Sequence, residues 1–449
     1  MKTKNSLTEG NILSSLIRFA IPVLAALFLQ ALYGGVDLLI VGRFSQTADV
    51  SGVATGSMIM HTLTSVITGL SMGITVLVGQ SIGEKDHKKA SAAIGSGICL
   101  FAVFAVILTA LFVPGSEAVA RFMQAPTEAF SQTVDYIRIC AIGSVFIVAY
   151  NVLGSVFRGI GDSGTPLMTV GIACAANIVG DLLFVAVFDM GASGAAIATV
   201  IAQAVSVFIS LLIIRKKQLP FTLSKKDLRF DKRIVASELR LGTPVALMDL
   251  LVGISFMVMQ MIVNAIGVVE SAGVGVAEKL CGFIMLVPSA YMQSMAAFVA
   301  QNLGAEKPKR AKKALFYGIL TSFLVGAVMG VLAFFQGDLL AEIFSKEPPV
   351  ITAAHSYLKA YAVDCFLTPF LFCFIGYFNG CGKSFFVMIQ GLIGAFVIRV
   401  PLAFFISSMA DVTLFKIGLA TPASTVVQIA LCLIMYFIWE KKALRNERS

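Results

Sequence analysis

The sequence predicts an all-α integral membrane protein: about twelve transmembrane helices in two six-helix bundles related by a parallel pseudo-twofold repeat. Three observations carry this prediction. The 449 residues are 58% hydrophobic and only 13% charged, with a mean hydropathy of +0.90, far outside the range of soluble domains. Apolar runs long enough to cross about 30 Å of hydrocarbon recur along the whole chain. The chain also repeats itself: Gln80, Gly83 and Ala90 in VGQSIGEKDHKKA return 221 positions later as Gln301, Gly304 and Ala311 in VAQNLGAEKPKRA. The same shift carries Gly52-Val53 onto Gly273-Val274, Tyr136 onto Tyr357, and Gly159, Gly161 and Ser163 onto Gly380, Gly382 and Ser384. A register held over so long a stretch describes two copies of one unit.

In chain order, the first copy opens with an apolar run at 14–41 that holds Pro22 and Asp37. The run at 52–80 ends in the first glycine-glutamine motif, and those at 90–113 and 131–157 are joined by Ser116–Phe130, an amphipathic stretch read as a cap on the outer face. Runs at 166–188 and 192–214 close the copy. The second copy has runs at 241–267, 272–301, 314–335, 352–378, 384–409 and 414–439. Residues 1–214 therefore read as an N-lobe and 241–449 as a C-lobe. The basic segment 215–240 joins them as a cytoplasmic linker, part of it lying at the lipid interface. Pro22 and Pro244 each remove a hydrogen bond inside their helices and are expected to kink them, as gating hinges or as static bends. Glycines, as in Gly154, Gly159 and GASGAAIAT, are expected where helix backbones approach closely.

The net charge of +9 does not point to nucleic acid, because the basic residues fall in alternate loops. Lys85, Lys88 and Lys89, the 215–240 segment, Lys307 to Lys313, and the two termini lie on one side; the other side has little beyond Arg43, Arg121, Lys346 and Lys416. This is the positive-inside pattern, with both termini cytoplasmic, and six spans per copy make the repeat parallel. The start, MKTKNSLTEG, leads into a run too long for a cleaved signal and is expected to stay. The eight cysteines have neither disulfide nor metal spacing and read as packing residues. No phosphate-binding loop or nucleophile–base set occurs at helical spacing, so neither ATP, another cofactor nor an enzymatic activity is expected.

Function is expected where the copies differ. A carboxylate in mid-membrane costs roughly 2.5–3.5 kcal/mol, so such residues face a cavity, a partner or an ion path. Asp37 and Asp181 lie in apolar runs of the first copy and have no acidic counterpart in the second. Asp37 is about 22 Å past Pro22 at 1.5 Å per residue, in the outer half of its helix. Asp181, Asn177 one turn before it, Thr199 and Tyr136 all fall at the same depth. Asp37, Asn177, Asp181 and Thr199, with the carbonyl of Ala195, suit a sodium ion; the two carboxylates equally suit a shared proton. A purely structural polar network is the alternative. Asp249 and Asp364 in the second copy are candidates for a further cation or substrate site. Arg399, Glu278 and Lys279 are expected to neutralise one another or to reach the interface, and His61 to donate between helices.

The two bundles, the paired GQ-x-x-G motifs, Pro22 with Asp37, RGIGDSGTP after the fourth run and GASGAAIAT in the sixth resemble the multidrug and toxic compound extrusion (MATE) family over nearly the whole chain. The resemblance implies a monomeric exporter of amphiphilic, mostly cationic drugs, driven by H+ or Na+ and working by alternating access in the cell membrane among lipids. In branches of the DNA-damage-inducible type it implies a coupling site at Asp37, Tyr136, Asn177, Asp181 and Thr199. Another branch uses acids in the seventh and tenth helices, where Asp249 and Asp364 lie about a turn out of register. A flippase for a lipid-linked saccharide is the alternative function.

Overall fold

Each apolar run becomes a helix, in the order read from the sequence. The computed structural model describes residues 7–216, 224 and 226–446, with no side chains beyond residue 442. Its spans are α1 (Ile12–Phe44), α2 (Thr47–Gly83), α3 (His87–Phe122), α4 (Thr127–Ile142 and Ser144–Gly159, bent by 56°), α5 (Gly164–Val187) and α6 (Gly191–Lys216). The second series is α7 (Lys232–Asn264), α8 (Val268–Gly304), α9 (Pro308–Phe335), α10 (Pro348–Gly380), α11 (Ser384–Ser407) and α12 (Leu414–Lys442). No strand occurs among the described residues. Helices satisfy every backbone group within the segment, which is what a hydrocarbon surrounding demands.

The residues divide into two compact units. One holds Ile17–Ala246, the chain before Asn11, and Ala300–Lys307; the other holds Asn11–Leu16, Leu247–Val299 and the chain from Pro308. In the first unit α2 is the central helix, its Ile67, Ile74 and Val78 packing with Ile94 and Phe101 of α3, Ile147 and Val152 of α4, and Ala192 and Ala196 of α6. In the second unit α10 takes that place, with Leu358 and Cys365 beside Met259 and Val263 of α7, Val274 and Ala277 of α8, and Ala420 of α12. Large apolar side chains such as Leu111, Phe188, Phe335 and Phe404 point outward, as lipid-facing surfaces require.

Close packing follows the repeat. A Cβ on Gly159 would lie 3.0 Å from the carbonyl of Thr75, and one on Gly380 2.7 Å from that of Ala296; both partners are 221 apart. Gly97 against Ile74 and Gly318 against Met295 form another such pair. The glycine-glutamine motif has a direct structural cause. Gly83 lies on the Gln301 carbonyl, where a Cβ would be 2.8 Å from Ala305 N, and Gly304 lies on Gln80, where a Cβ would be 2.8 Å from the carbonyl carbon. The ends of α2 and α8 thus cross backbone to backbone in the first unit, and Gln301 Nε2 donates to the Gly159 carbonyl at 2.8 Å. The turns beyond also match: Lys85 and Glu306 take left-handed φ values of 59° and 56°, and Asp86 N and Lys307 N close onto Ser81 O and Asn302 O at 3.0 and 2.8 Å. These are glycine-type helix ends built with ordinary residues.

Several boundaries differ from the sequence reading. α3 continues through Pro114 to Phe122, so the front half of Ser116–Phe130 belongs to that helix; only Thr127–Ala129 forms a separate turn. α7 begins at Lys232, within the segment read as linker, because alternation of charged and apolar residues there continues the helical face of the apolar run. Linker residues 217–223 and 225 lie outside the described residues, as do residues 1–6. The bend in α4 falls at Gly143, and α8 breaks at Met285 ahead of Pro288. π-helical turns occur at Leu182–Val187 in α5 and Ile393–Arg399 in α11.

Candidate functional site

Asp37, Asn177, Asp181 and Thr199 come together inside the first unit, drawn from α1, α5 and α6. Asp37 is 5% exposed, and Asn177 and Asp181 are wholly buried. Thr199 Oγ1 donates to Asp37 Oδ2 at 3.4 Å, longer than a good O–H···O bond. Asp181 and Asn177 lie near Asp37, with no hydrogen bond to it among the described residues. Tyr136 is buried with its ring directly on Gly56 and lies near Thr199. Ala195 is buried one turn before Thr199. The α5 helix passes into its π turn directly after Asp181, a distortion that proteins place at functional positions.

The group is under-satisfied. Asp37 Oδ1, both oxygens of Asp181 and both polar atoms of Asn177 have no partner among the described residues. Leaving buried polar atoms unpaired costs about 1–3 kcal/mol each, so this arrangement is expensive unless something else occupies it. Six side-chain oxygens, two each from Asp37 and Asp181 and one each from Asn177 and Thr199, converge there; a proton or a sodium ion fits that donor set.

The sequence reading missed a polar column running along α1 and α6 away from the site. Gln203 Nε2 donates to the Tyr33 hydroxyl at 3.2 Å and Gln30 Nε2 to the Tyr150 hydroxyl at 2.6 Å. Below them Thr68 donates to Asn151 at 3.1 Å, Ser71 and Ser155 share a bond of 2.7 Å, and Arg158 Nη2 donates to Ser155 Oγ at 2.7 Å. The signal was present: Gln30, Tyr33 and Asp37 on α1, and Thr199, Gln203, Ser206 and Ser210 on α6, recur at helical spacing. Glu238 was missed too, because the apolar run was started after it. It is 1% exposed and neither carboxylate oxygen has a partner among the described residues.

Asp249 and Asp364 are not brought together. Asp249 is half-buried on α7, while Asp364 on α10 is 3% exposed and lies near Thr425 and Arg399. Arg399, Glu278 and Lys279 form no ion pair among the described residues. Arg399 instead stacks on Phe256 at 4.2 Å, and Lys279 lies 5.9 Å from the Phe344 ring, since aromatic faces accept cations where no carboxylate reaches. His61 is exposed on α2 rather than donating between helices. Pro22 and Pro244 lie inside the unbroken helices α1 and α7. The eight cysteines are free thiols, and no His, Cys, Asp or Glu cluster suited to a metal occurs among the described residues.

The sequence model of the MatE family matches residues 22–183 and again 244–405, two stretches 222 positions apart. Probable multidrug resistance protein YpnP of Bacillus subtilis (strain 168) is 27% identical over 398 residues, 88% of either chain. Multidrug export protein MepA of Staphylococcus saprophyticus is 23% identical over 434 residues, 96% of this chain and 95% of that one. Probable multidrug resistance protein NorM of Thermotoga maritima is 25% identical over 443 residues, 96% and 94%. A crystal structure of MATE in complex with MaD3S superposes with a TM-score of 0.92 at 20% identity, covering 99% of this chain and all of that one. The outward-facing conformation of a multidrug resistance MATE family transporter of the MOP superfamily gives 0.91 at 20% identity over the whole of both. The two repeated halves and the helix order are those of this fold.

Proposed function

Because the chain belongs to the MatE family of multi-pass membrane transporters, we propose that it exports small amphiphilic, mostly cationic organic compounds across the cytoplasmic membrane in exchange for H+ or Na+. The observation that carries this reading is the Asp37–Asp181 pair: two buried carboxylates with unpartnered oxygens, present in one repeat and absent from the other. A bound proton or sodium ion offsets part of their mutual repulsion and supplies a partner for the unpaired oxygens. The kinship with proteins named for multidrug resistance and multidrug export supports the substrate class.

The residues divide the work. Asp37 and Asp181 hold the proton or sodium ion, Asn177 and Thr199 complete the oxygen shell with the Ala195 carbonyl, and the Tyr136 hydroxyl orients Thr199. Ion uptake from outside lowers the charge of the pair, which weakens the electrostatic reason for α1 to keep Asp37 in its charged setting and lets the helix flex at Pro22. Cationic substrate is released as the ion is taken, and the repeats pass between outward- and inward-open states. Pro244 gives α7 the matching hinge. The protein works as a monomer among membrane lipids, with both termini in the cytoplasm, and the ion is cargo rather than a cofactor.

The test is reconstitution in liposomes, with a fluorescent organic cation followed under an imposed proton gradient and then a sodium gradient. Uptake driven by either gradient is expected, and loss of that drive in Asp37→Asn. Indifference to both gradients, with scrambling of a lipid-linked saccharide instead, would establish a flippase and end this reading.

A further inference from the structure

The cation site of the first repeat has a counterpart in the second, and its side chains have changed sign. Tyr136 and Ser163 correspond to Tyr357 and Ser384 at a shift of 221. Residues Ile393–Arg399 of α11 form π turns, which take an extra residue into a helix. By their end the shift is 222, as Ala198-Thr199 against Ala420-Thr421 shows, the value that also relates Pro22 to Pro244 at the start of α1 and α7. Arg399 then stands in the place of Asn177, Ala403 in that of Asp181, and Met259 in that of Asp37. All three are buried, Met259 and Ala403 almost wholly.

The surroundings of Arg399 agree with that correspondence. Asn177 of α5 faces Asp37 of α1, and Arg399 of α11 faces α7. Its Nη1 donates to Ser255 Oγ at 2.9 Å, and its Cζ lies 4.2 Å from the Phe256 ring centroid. The side chain is 5% exposed and its Nε has no partner among the described residues. The nearby carboxylate is Asp364, within electrostatic reach of the guanidinium though no ion pair closes between them among the described residues. At a shift of 221, Asp364 occupies the place of Gly143. There α4 bends, whereas α10 runs straight through.

We infer that Arg399 is a tethered cation: its guanidinium permanently fills, in the second repeat, the role that a mobile H+ or Na+ fills in the first, with Asp364 as counter-charge. A guanidinium keeps its proton in proteins, so this charge neither loads nor unloads during a cycle. The second repeat consequently takes up no coupling ion, and coupling rests on one site per chain. This step depends on the reading of Asp37 and Asp181 as the coupling pair. Truncating Arg399 would open a vacancy shaped and charged for a small organic cation, namely guanidinium itself.

The test uses purified full-length protein in detergent and reads thermal unfolding with guanidinium, urea or potassium at millimolar, non-denaturing concentrations. Arg399→Ala is expected to lower the unfolding temperature by several degrees, and guanidinium, but neither urea nor potassium, to restore most of the loss. Arg399→Ala with Asp364→Asn is expected to recover stability and to lose the guanidinium response. Equal responses of wild type and Arg399→Ala, or a response persisting in the double variant, would overturn the inference. Should Arg399→Ala fail to accumulate, recovery of the double variant supports the counter-charge and its failure overturns it. Ion-driven transport by Asp37→Asn is measured separately: its persistence removes the coupling reading, while the rescue result stands by itself.

Discussion

Asp181→Asn tests the coupling site with the least disturbance to its shape. The carboxylate is wholly buried and both its oxygens lack partners among the described residues, so the ion-free protein carries roughly 2–6 kcal/mol of unpaired polarity there, at about 1–3 kcal/mol per atom. An amide of the same outline removes the charge. Stability without ion is therefore expected to hold or to rise by on the order of 1–2 kcal/mol. Transport is expected to move the other way. If one monovalent cation is exchanged for one cationic substrate, no net charge crosses, and a tenfold ion gradient supplies about 1.4 kcal/mol, enough for tenfold substrate accumulation. In Asp181→Asn that ratio is expected to fall to about one. The assay is steady-state accumulation in proteoliposomes at zero membrane potential, paired with thermal unfolding of the same preparations. Tenfold accumulation by a well-folded Asp181→Asn would refute the argument, and so would a large loss of stability, because it would make the carboxylate structural.

Further outcomes follow from the same geometry. Thr199→Val removes a hydroxyl 3.4 Å from Asp37, a contact worth about 0.5–1.5 kcal/mol; the ion concentration for half-maximal transport is expected to rise roughly two- to tenfold. Gln203→Leu strips the Tyr33 hydroxyl of the donor at 3.2 Å and is expected to cost about 1–3 kcal/mol in unfolding measurements. Gly304→Ala forces a methyl to within 2.8 Å of Gln80 backbone and is expected to destabilise by about 1–3 kcal/mol. Gly115→Ala, with nothing within 4 Å, should be neutral or gain up to about 1 kcal/mol of helix propensity. Glu238→Gln replaces a carboxylate with no partner among the described residues and is expected to leave unfolding unchanged or later by about 1 kcal/mol.

What was legible in the sequence was whatever repeats or violates composition. Apolar runs marked the existence and order of the membrane helices among the described residues, since in lipid a single long apolar run satisfies its own backbone only as a helix. The shift of 221 found the motif pair, and Asp37 and Asp181 stood out because charge is rare in such helices. Helix ends were less visible: Lys232 to Arg240 is polar enough to resemble a linker, yet extends α7. The polar column was overlooked because Gln30, Tyr33 and Gln203 are unremarkable singly and gain meaning only when α1 and α6 are set side by side. Arg399 was paired with the wrong partners for a different reason. Opposite charge alone suggested Glu278, far away in the chain, while the tertiary fold offered Phe256 and Ser255.

The crossing of Gly83 and Gly304 also bears on biogenesis. The first compact unit includes Ala300–Lys307, a segment synthesised some fifty residues after that unit's preceding stretch ends at Ala246. Until the ribosome has passed residue 307, the end of α2 has no backbone to close against and Gly159 lacks the Gln301 donor. Insertion of the early helices can proceed in order, but the first half is completed only by the second, so a chain truncated between the repeats would present an unfinished surface to quality control.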